Sequence, residues 1–170
     1  MIAYLQLPLQ AMLIDKADTF EQLRGITSWE VDSSRSAYFL LDRWMTKERV
    51  RELYHALHLT FGPHIRFGAA EQKTTARAAA LYRAVPHCTI ITPEVSEQFL
   101  AELPIRLLPG LGQRTTKYLA RHGINTFSEF RGLSYQTLKD WFGVSGIILQ
   151  QFAFGIDPRV VEPSRQRAFA

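Results

Sequence analysis

The sequence predicts an α+β fold in two parts, on three observations. Beta-prone runs alternate with helical spacings as far as residue 103, helical spacings alone follow, and the charge changes sign near the same point. From Pro104 to Ala170 there are nine Lys/Arg against four acids, whereas the first 103 residues hold 11 basic and 12 acidic side chains. A basic half of this kind favours a polyanionic partner. With 46% apolar and 21% charged residues in 170, the chain can bury one or two small cores. It has no run of 18 apolar residues, and Met1 to Pro8 lacks the charged start and long apolar centre of a signal peptide. A cytoplasmic protein is expected. Cys88 stands alone, which excludes a disulfide framework and a cysteine zinc site; it reads as a small buried hydrophobe.

Each element has its own signal. Met1 to Pro8 alternates and is rich in strand formers, and Ala17 to Leu23 reads as a short helix. Trp29 to Ser33 and Ala37 to Leu41 are two beta-prone runs around a polar turn at Ser34 to Ser36. Thr46 caps a helix whose Val50, Leu53, Tyr54 and Leu57 fall at helical spacing, and Gly62-Pro63 separates it from a strand at His64 to Ala70. An alanine-rich helix spans Glu71 to Arg83, a strand His87 to Thr92, and a helix Pro93 to Leu103. Beyond them, Thr126 to Arg131, Ser134 to Phe142 and Val144 to Phe154 read as three short helices, with Leu138, Trp141 and Phe142 as core. The expected organisation is 1–103, 104–163 and a short tail at 164–170.

The stretch that organises the second part is Leu107 to Ile124, LLPGLGQRTTKYLARHGI. Pro109 sets a turn, Gly110 and Gly112 permit positive φ or close backbone approach, and Leu111, Thr115, Tyr118 and Leu119 are expected to face inward from the helix that follows. Unpaired amides at such a helix start form a cradle for one phosphate. This helix-hairpin-helix pattern makes Gly110, Leu111, Gly112, Gln113, Arg114, Thr115 and Lys117 candidate DNA contacts. The five histidines show no metal-ligand spacing, and solvated surface acids are expected at Asp15, Asp18, Asp32 and Asp42.

Pro104, Leu108-Pro109-Gly110-Leu111-Gly112, Thr115, Leu119, Gly123-Ile124 and Gly155-Ile156-Asp157-Pro158-Arg159 form an ordered set that resembles the thumb of Y-family (translesion) DNA polymerases. Gly68-Ala69-Ala70-Glu71-Gln72-Lys73-Thr74-Thr75-Ala76-Arg77 is similar to the palm's Gly-Ile-Ala-x-Asn-Lys-x-x-Ala-Lys, which adds Lys73 and Arg77 as candidate DNA contacts. The resemblance covers Met1 to Pro163 and implies a reduced palm followed by an all-helical helix-hairpin-helix thumb. Only 28 residues separate Gln6 from Arg35, where the family carries its fingers, and no little finger follows the thumb.

The family binds two magnesium ions through palm carboxylates. At the matching positions this sequence has Gln6 and Pro8 on the first strand, and Arg35 and Ser36 in the hairpin. A cation at position 35 opposes metal binding outright. The resemblance is therefore to a catalytically inactive, ImuB-type homologue. It implies no enzyme activity, no metal and no cofactor, but a sequence-independent DNA-backbone-binding adaptor in repair and translesion synthesis. Its DNA would be single-stranded or primer-template, and family analogy adds a RecA-like protein, a polymerase or the sliding clamp as partners. Gln6-Leu7-Pro8-Leu9 is too incomplete for a clamp-binding peptide. Two alternatives stand beside this: a fragment or divergent form of an active Y-family polymerase with acids displaced to Asp32 or Asp42, and a protein-interaction module of a repair complex.

Overall fold

The computed structural model describes residues 1–8, 11, 13 and 17–162, with the side chains of Ala17 and Asp18 left aside. The tail expected at 164–170 and the acid at Asp15 lie outside the described residues. The chain divides into two compact units, Met1–Ile91 with the segment from Arg159, and Thr92–Pro158.

The first unit is a mixed five-stranded sheet with helices on its faces. In chain order it runs β1 (Ile2–Gln6), α1 (Ala17–Glu21), β2 (Ile26–Ser33), β3 (Ser36–Leu41), α2 (Lys47–Phe61), β4 (Arg66–Ala70), α3 (Lys73–Leu81) and β5 (His87–Ile90). The strand order is β2-β3-β1-β4-β5. All neighbours are antiparallel except β4 and β5, which α3 joins as a parallel crossover.

Strand alternation sorts the sheet's two faces. Ala3, Leu5, Ala37, Phe39, Phe67 and Ala69 belong to one buried core with Phe20 of α1 and Val50, Leu53 and Leu57 of α2. Phe20 is its hub, edge-on to Trp29 and Phe39. Thr46 caps α2 as its sequence suggests, accepting from the Arg49 amide at 3.3 Å. The other parity of β1 and β4 meets α3, and Gly68 lets that helix come close: a Cβ there would stand 2.8 Å from the Ala79 carbonyl carbon. The alanines Ala76, Ala79 and Ala80, each fully buried, are the helix's side of this contact.

The second unit is helical: α4 (Pro93–Ala101), one 3-10 turn at Ile105–Leu107, α5 (Gln113–Arg121), α6 (Phe127–Arg131), α7 (Tyr135–Phe142) and α8 (Ser145–Ala153). Its core includes Leu100, Leu119, Phe127, Phe130 and Leu138. The boundary expected after residue 103 falls at Ile91, because α4 packs on α6. Arg131 secures that contact by donating to the Glu97 carbonyl at 3.1 Å and to the Ala153 carbonyl at 2.8 Å. The chain then crosses back before the expected end at 163. Val161 is buried, Arg159 reaches the Thr74 hydroxyl at 3.5 Å, and the Glu162 amide donates to the Glu30 carboxylate at 2.9 Å. No helix among the described residues is long and apolar enough to cross a membrane.

Candidate nucleic-acid interface

The turn before α5 rests on buried side chains. Ile105, Leu107, Leu108 and Pro109 are all buried, and the amides of Leu107 and Leu108 close the 3-10 turn onto Pro104 and Ile105 at 3.0 Å each. Leu111 then donates to the Leu108 carbonyl at 3.3 Å, which bends the chain outward through Gly110. Gly110 has φ +86°, a conformation L side chains rarely adopt, and a Cβ there would come within 3.2 Å of Leu149.

Gly112 is the N-cap of α5, with φ −78° and ψ 168°, and no side chain caps the helix. Nothing lies within 4 Å of where its Cβ would be. The first-turn amides that follow have no carbonyl ahead of them in the helix, so they are oriented toward an open space. Gln113, Arg114 and Lys117 are exposed at or within a turn of this start and Arg121 is exposed at the far end of the helix, while Leu111 and Thr115 are half-buried. Among the residues expected to face inward, Leu119 is fully buried but Tyr118 is 41% exposed. Its ring packs instead on His122 and, across on α7, on Trp141. Trp141 and Phe142 are only half-buried, so neither is the full core residue that helical spacing suggests.

The palm candidates fare differently. Arg77 is half-buried, but Lys73 is only 4% exposed and its Nζ lies 2.6 Å from Glu30 and 4.9 Å over the Tyr38 ring. A lysine so enclosed cannot serve DNA as a surface cation, because its charge is already matched inside the unit. The signal for this pair was a single acid on the hairpin strand, with nothing in the sequence tying it to Lys73, 43 residues away.

Gln6 and Ser36 are register partners across β1 and β3, with Arg35 in the turn beside them. The Leu7 amide donates to the Arg35 carbonyl at 2.7 Å, and Gln6 Nε2 donates to that carbonyl and to Leu7 O at 3.3 and 3.2 Å. Asp32 Oδ2 accepts from Tyr4 at 2.9 Å and from Ser36 at 3.1 Å, and the Ser33 and Ser36 hydroxyls are 2.6 Å apart. Burial pushes the Tyr4 phenol up to about 12 and the Tyr38 phenol up as well, so both stay protonated at neutral pH, and Tyr4 keeps the proton it donates to Asp32. Among the described residues, no three His, Cys, Asp or Glu side chains gather as a metal site. An amide, an imino acid, a guanidinium and a hydroxyl at the four matching positions do not fit a pair of magnesium ions, which require anionic oxygens.

No protein-family model matches the chain. DNA polymerase IV of Pseudomonas aeruginosa, in strains UCBPP-PA14 and PAO1, is 33% identical over 160 residues, which is 94% of this chain and 44% of the relative. The chain is homologous to Y-family DNA polymerase IV over its palm and thumb. DNA polymerase IV of Akkermansia muciniphila is 34% identical over 117 residues, 69% of this chain and 32% of its own length. The chain thus spans under half the length of the polymerases it matches. The palm-thumb fold itself is that of DinB from Sulfolobus solfataricus, with a TM-score of 0.73 at 21% identity over 86% of this chain and 45% of that one. An insertion ternary complex of Dbh DNA polymerase has the same fold, with a TM-score of 0.70 at 20% identity over 86% of this chain and 44% of that one.

These relatives overturn one expectation. The missing carboxylates suggest a protein that is not an enzyme, but the homologues at 33% identity over 94% of the chain are named as DNA polymerases. Four side chains at one site do not fix the activity of a family.

Proposed function

We propose that the chain works in DNA damage bypass as the palm and thumb of a divergent Y-family DNA polymerase, gripping DNA by its sugar-phosphate backbone without regard to sequence. The observation that carries this reading is the conjunction of the polymerase IV likeness with an exposed, glycine-opened start of α5. A backbone phosphate at that start accepts from the first-turn amides of Gln113, Arg114 and Thr115. The missing side chain of Gly112 leaves room for it, and Gly110 and Leu111 shape the approach. Arg114 and Lys117 add charge at the surface, and contacts of this type position DNA without reading its bases. On the palm, Arg77 is the remaining candidate for a phosphate. DNA synthesis, the activity in the relatives' names, is proposed for the polymerase of which this chain supplies palm and thumb, and no step is assigned to a metal at Gln6 and Ser36.

Binding of fluorescent primer-template DNA across a salt series, paired with primer extension in magnesium and nucleotides, tests both parts. Binding is expected to fall with salt at a log-log slope of about −0.9 per duplex phosphate neutralised, and to be lost in Arg114→Glu/Lys117→Glu. Templated extension supports the polymerase reading. Binding without extension keeps the DNA grip and removes synthesis from this chain acting alone. No binding at low salt refutes the reading and favours a protein-interaction module.

A further inference from the structure

Three aromatic rings from two helices meet beside the basic face of α5. Tyr118 and His122 have centroids 4.3 Å apart at 42°, Tyr118 and Trp141 5.3 Å apart at 82°, and His122 and Trp141 5.0 Å apart at 58°. The His122 ring is fixed by Nδ1 at 2.9 Å from the Tyr118 carbonyl oxygen. Trp141 supports Tyr118 edge-on, and yet Tyr118 is 41% exposed, more than a residue closing a core requires. Arg114, Lys117 and Arg121, at i, i+3 and i+7, lie along one face of the same helix, and all three are exposed. Tyr118 stands one turn from Arg114 and borders that face.

We infer that Tyr118, backed by His122 and Trp141, is a stacking platform for an unpaired base of single-stranded DNA, an inference that rests on the DNA-binding reading above. The charge is complementary to a phosphate backbone running along Arg114, Lys117 and Arg121. A strand held there turns its bases toward the aromatic border, and every base has a π-face that a tyrosine accepts. Paired bases are already stacked within a duplex, so the platform distinguishes single strands from duplex without reading sequence. It adds a preference that backbone contacts alone do not supply.

The test compares a labelled thymidine oligonucleotide with a blunt duplex of the same length, by anisotropy at several salt concentrations. The full chain is used throughout, with thermal melts of every variant. Tyr118→Ala is expected to weaken oligonucleotide binding about tenfold, leaving duplex binding and the salt slope unchanged. Tyr118→Leu, which keeps apolar bulk under Trp141, weakens it likewise, and Tyr118→Phe binds as the native protein does. Lys117→Glu weakens both ligands and flattens the salt dependence. Unchanged oligonucleotide affinity in Tyr118→Leu, or an equal loss on duplex and single strand, overturns the platform while leaving the backbone grip in place. If the native chain binds neither nucleic acid, the DNA-binding reading falls first and the platform falls with it.

Discussion

Replacing Gly68 by alanine should drive α3 away from the sheet and destabilise the first unit. An ideal Cβ at this position meets the Ala76 carbonyl oxygen and the Ala80 amide nitrogen inside contact distance, and stands 2.8 Å from the Ala79 carbonyl carbon. All three are backbone atoms, so no rotamer change relieves the clash. Ordinary carbon contact needs about 3.5–4.0 Å, so α3 must lift from the sheet by roughly 1 Å, and a gap of that size forfeits up to about half the dispersion well of the facing atoms. Overpacking typically costs about 1–3 kcal/mol. With a rigid backbone as the obstacle, the upper value of about 3 kcal/mol is expected. In a unit of roughly 100 residues each kcal/mol moves the melting temperature by about 4–8 °C, which places the drop at roughly 12–24 °C. Circular dichroism melts read this directly, with Gly112→Ala as the matched control, since nothing lies within 4 Å of its Cβ position. A Gly68→Ala protein melting within about 3 °C of the native one refutes the close-approach argument, because a shift that small is under about 1 kcal/mol.

Other predictions follow from the same geometry. Gly112→Ala should melt like the native protein but bind DNA more weakly, because its methyl group enters the space before α5; equal affinity would place the phosphate elsewhere. Glu129 accepts from the Asn125 and Thr126 amides at 2.6 and 2.9 Å, and these bonds hold its carboxyl below the usual range. Its stabilising effect is thus complete above the unfolded value of 4.5 and disappears as pH falls through the lower folded value. Urea titrations at pH 6 and pH 3 should show a smaller acid loss for Glu129→Gln, and an unchanged loss would remove the carboxylate from the capping box. Burial pushes the Cys88 thiol up to about 11, so its contribution to stability holds below the ordinary value of 9.0 and is lost as pH rises toward 11. At pH 8, iodoacetamide should alkylate it on the order of a hundredfold more slowly than a free thiol, and alkylation at the free-thiol rate would contradict the burial.

Local signals carried most of the fold. Thr46, Thr126 and Ser134 each cap the helix that their sequence position suggests, and the turn at Ser34 to Ser36 joins the hairpin strands expected on either side. Elements were therefore legible to within a few residues. What escaped was everything decided by distant partners. Lys73 looks like a surface cation beside Arg77 until Glu30 arrives from another strand to enclose it. Tyr118 reads as an inward position by helical spacing, and only the packing of α5 near α7 leaves it half-open against Trp141. The helix at Pro93 follows directly on a strand and resembles another sheet-covering helix, but Arg131 binds it into the helical unit. The glycine turn that opens α5, by contrast, was legible because its conformation is set by consecutive residues.

The bond from the Glu162 amide to Glu30 spans 132 residues. At a synthesis rate of about 5–20 residues per second, Glu30 leaves the ribosome roughly 7–26 s before its last partner exists. During that interval the sheet can form, and Lys73 can find its carboxylate, but the strap that buries Val161 has yet to be made. The sheet unit is therefore the first to begin folding and the last to finish, with a complete helical unit synthesised in between. A nascent chain arrested short of Val161 should consequently be more susceptible to protease at β2 than the released protein, even though β2 itself was synthesised long before.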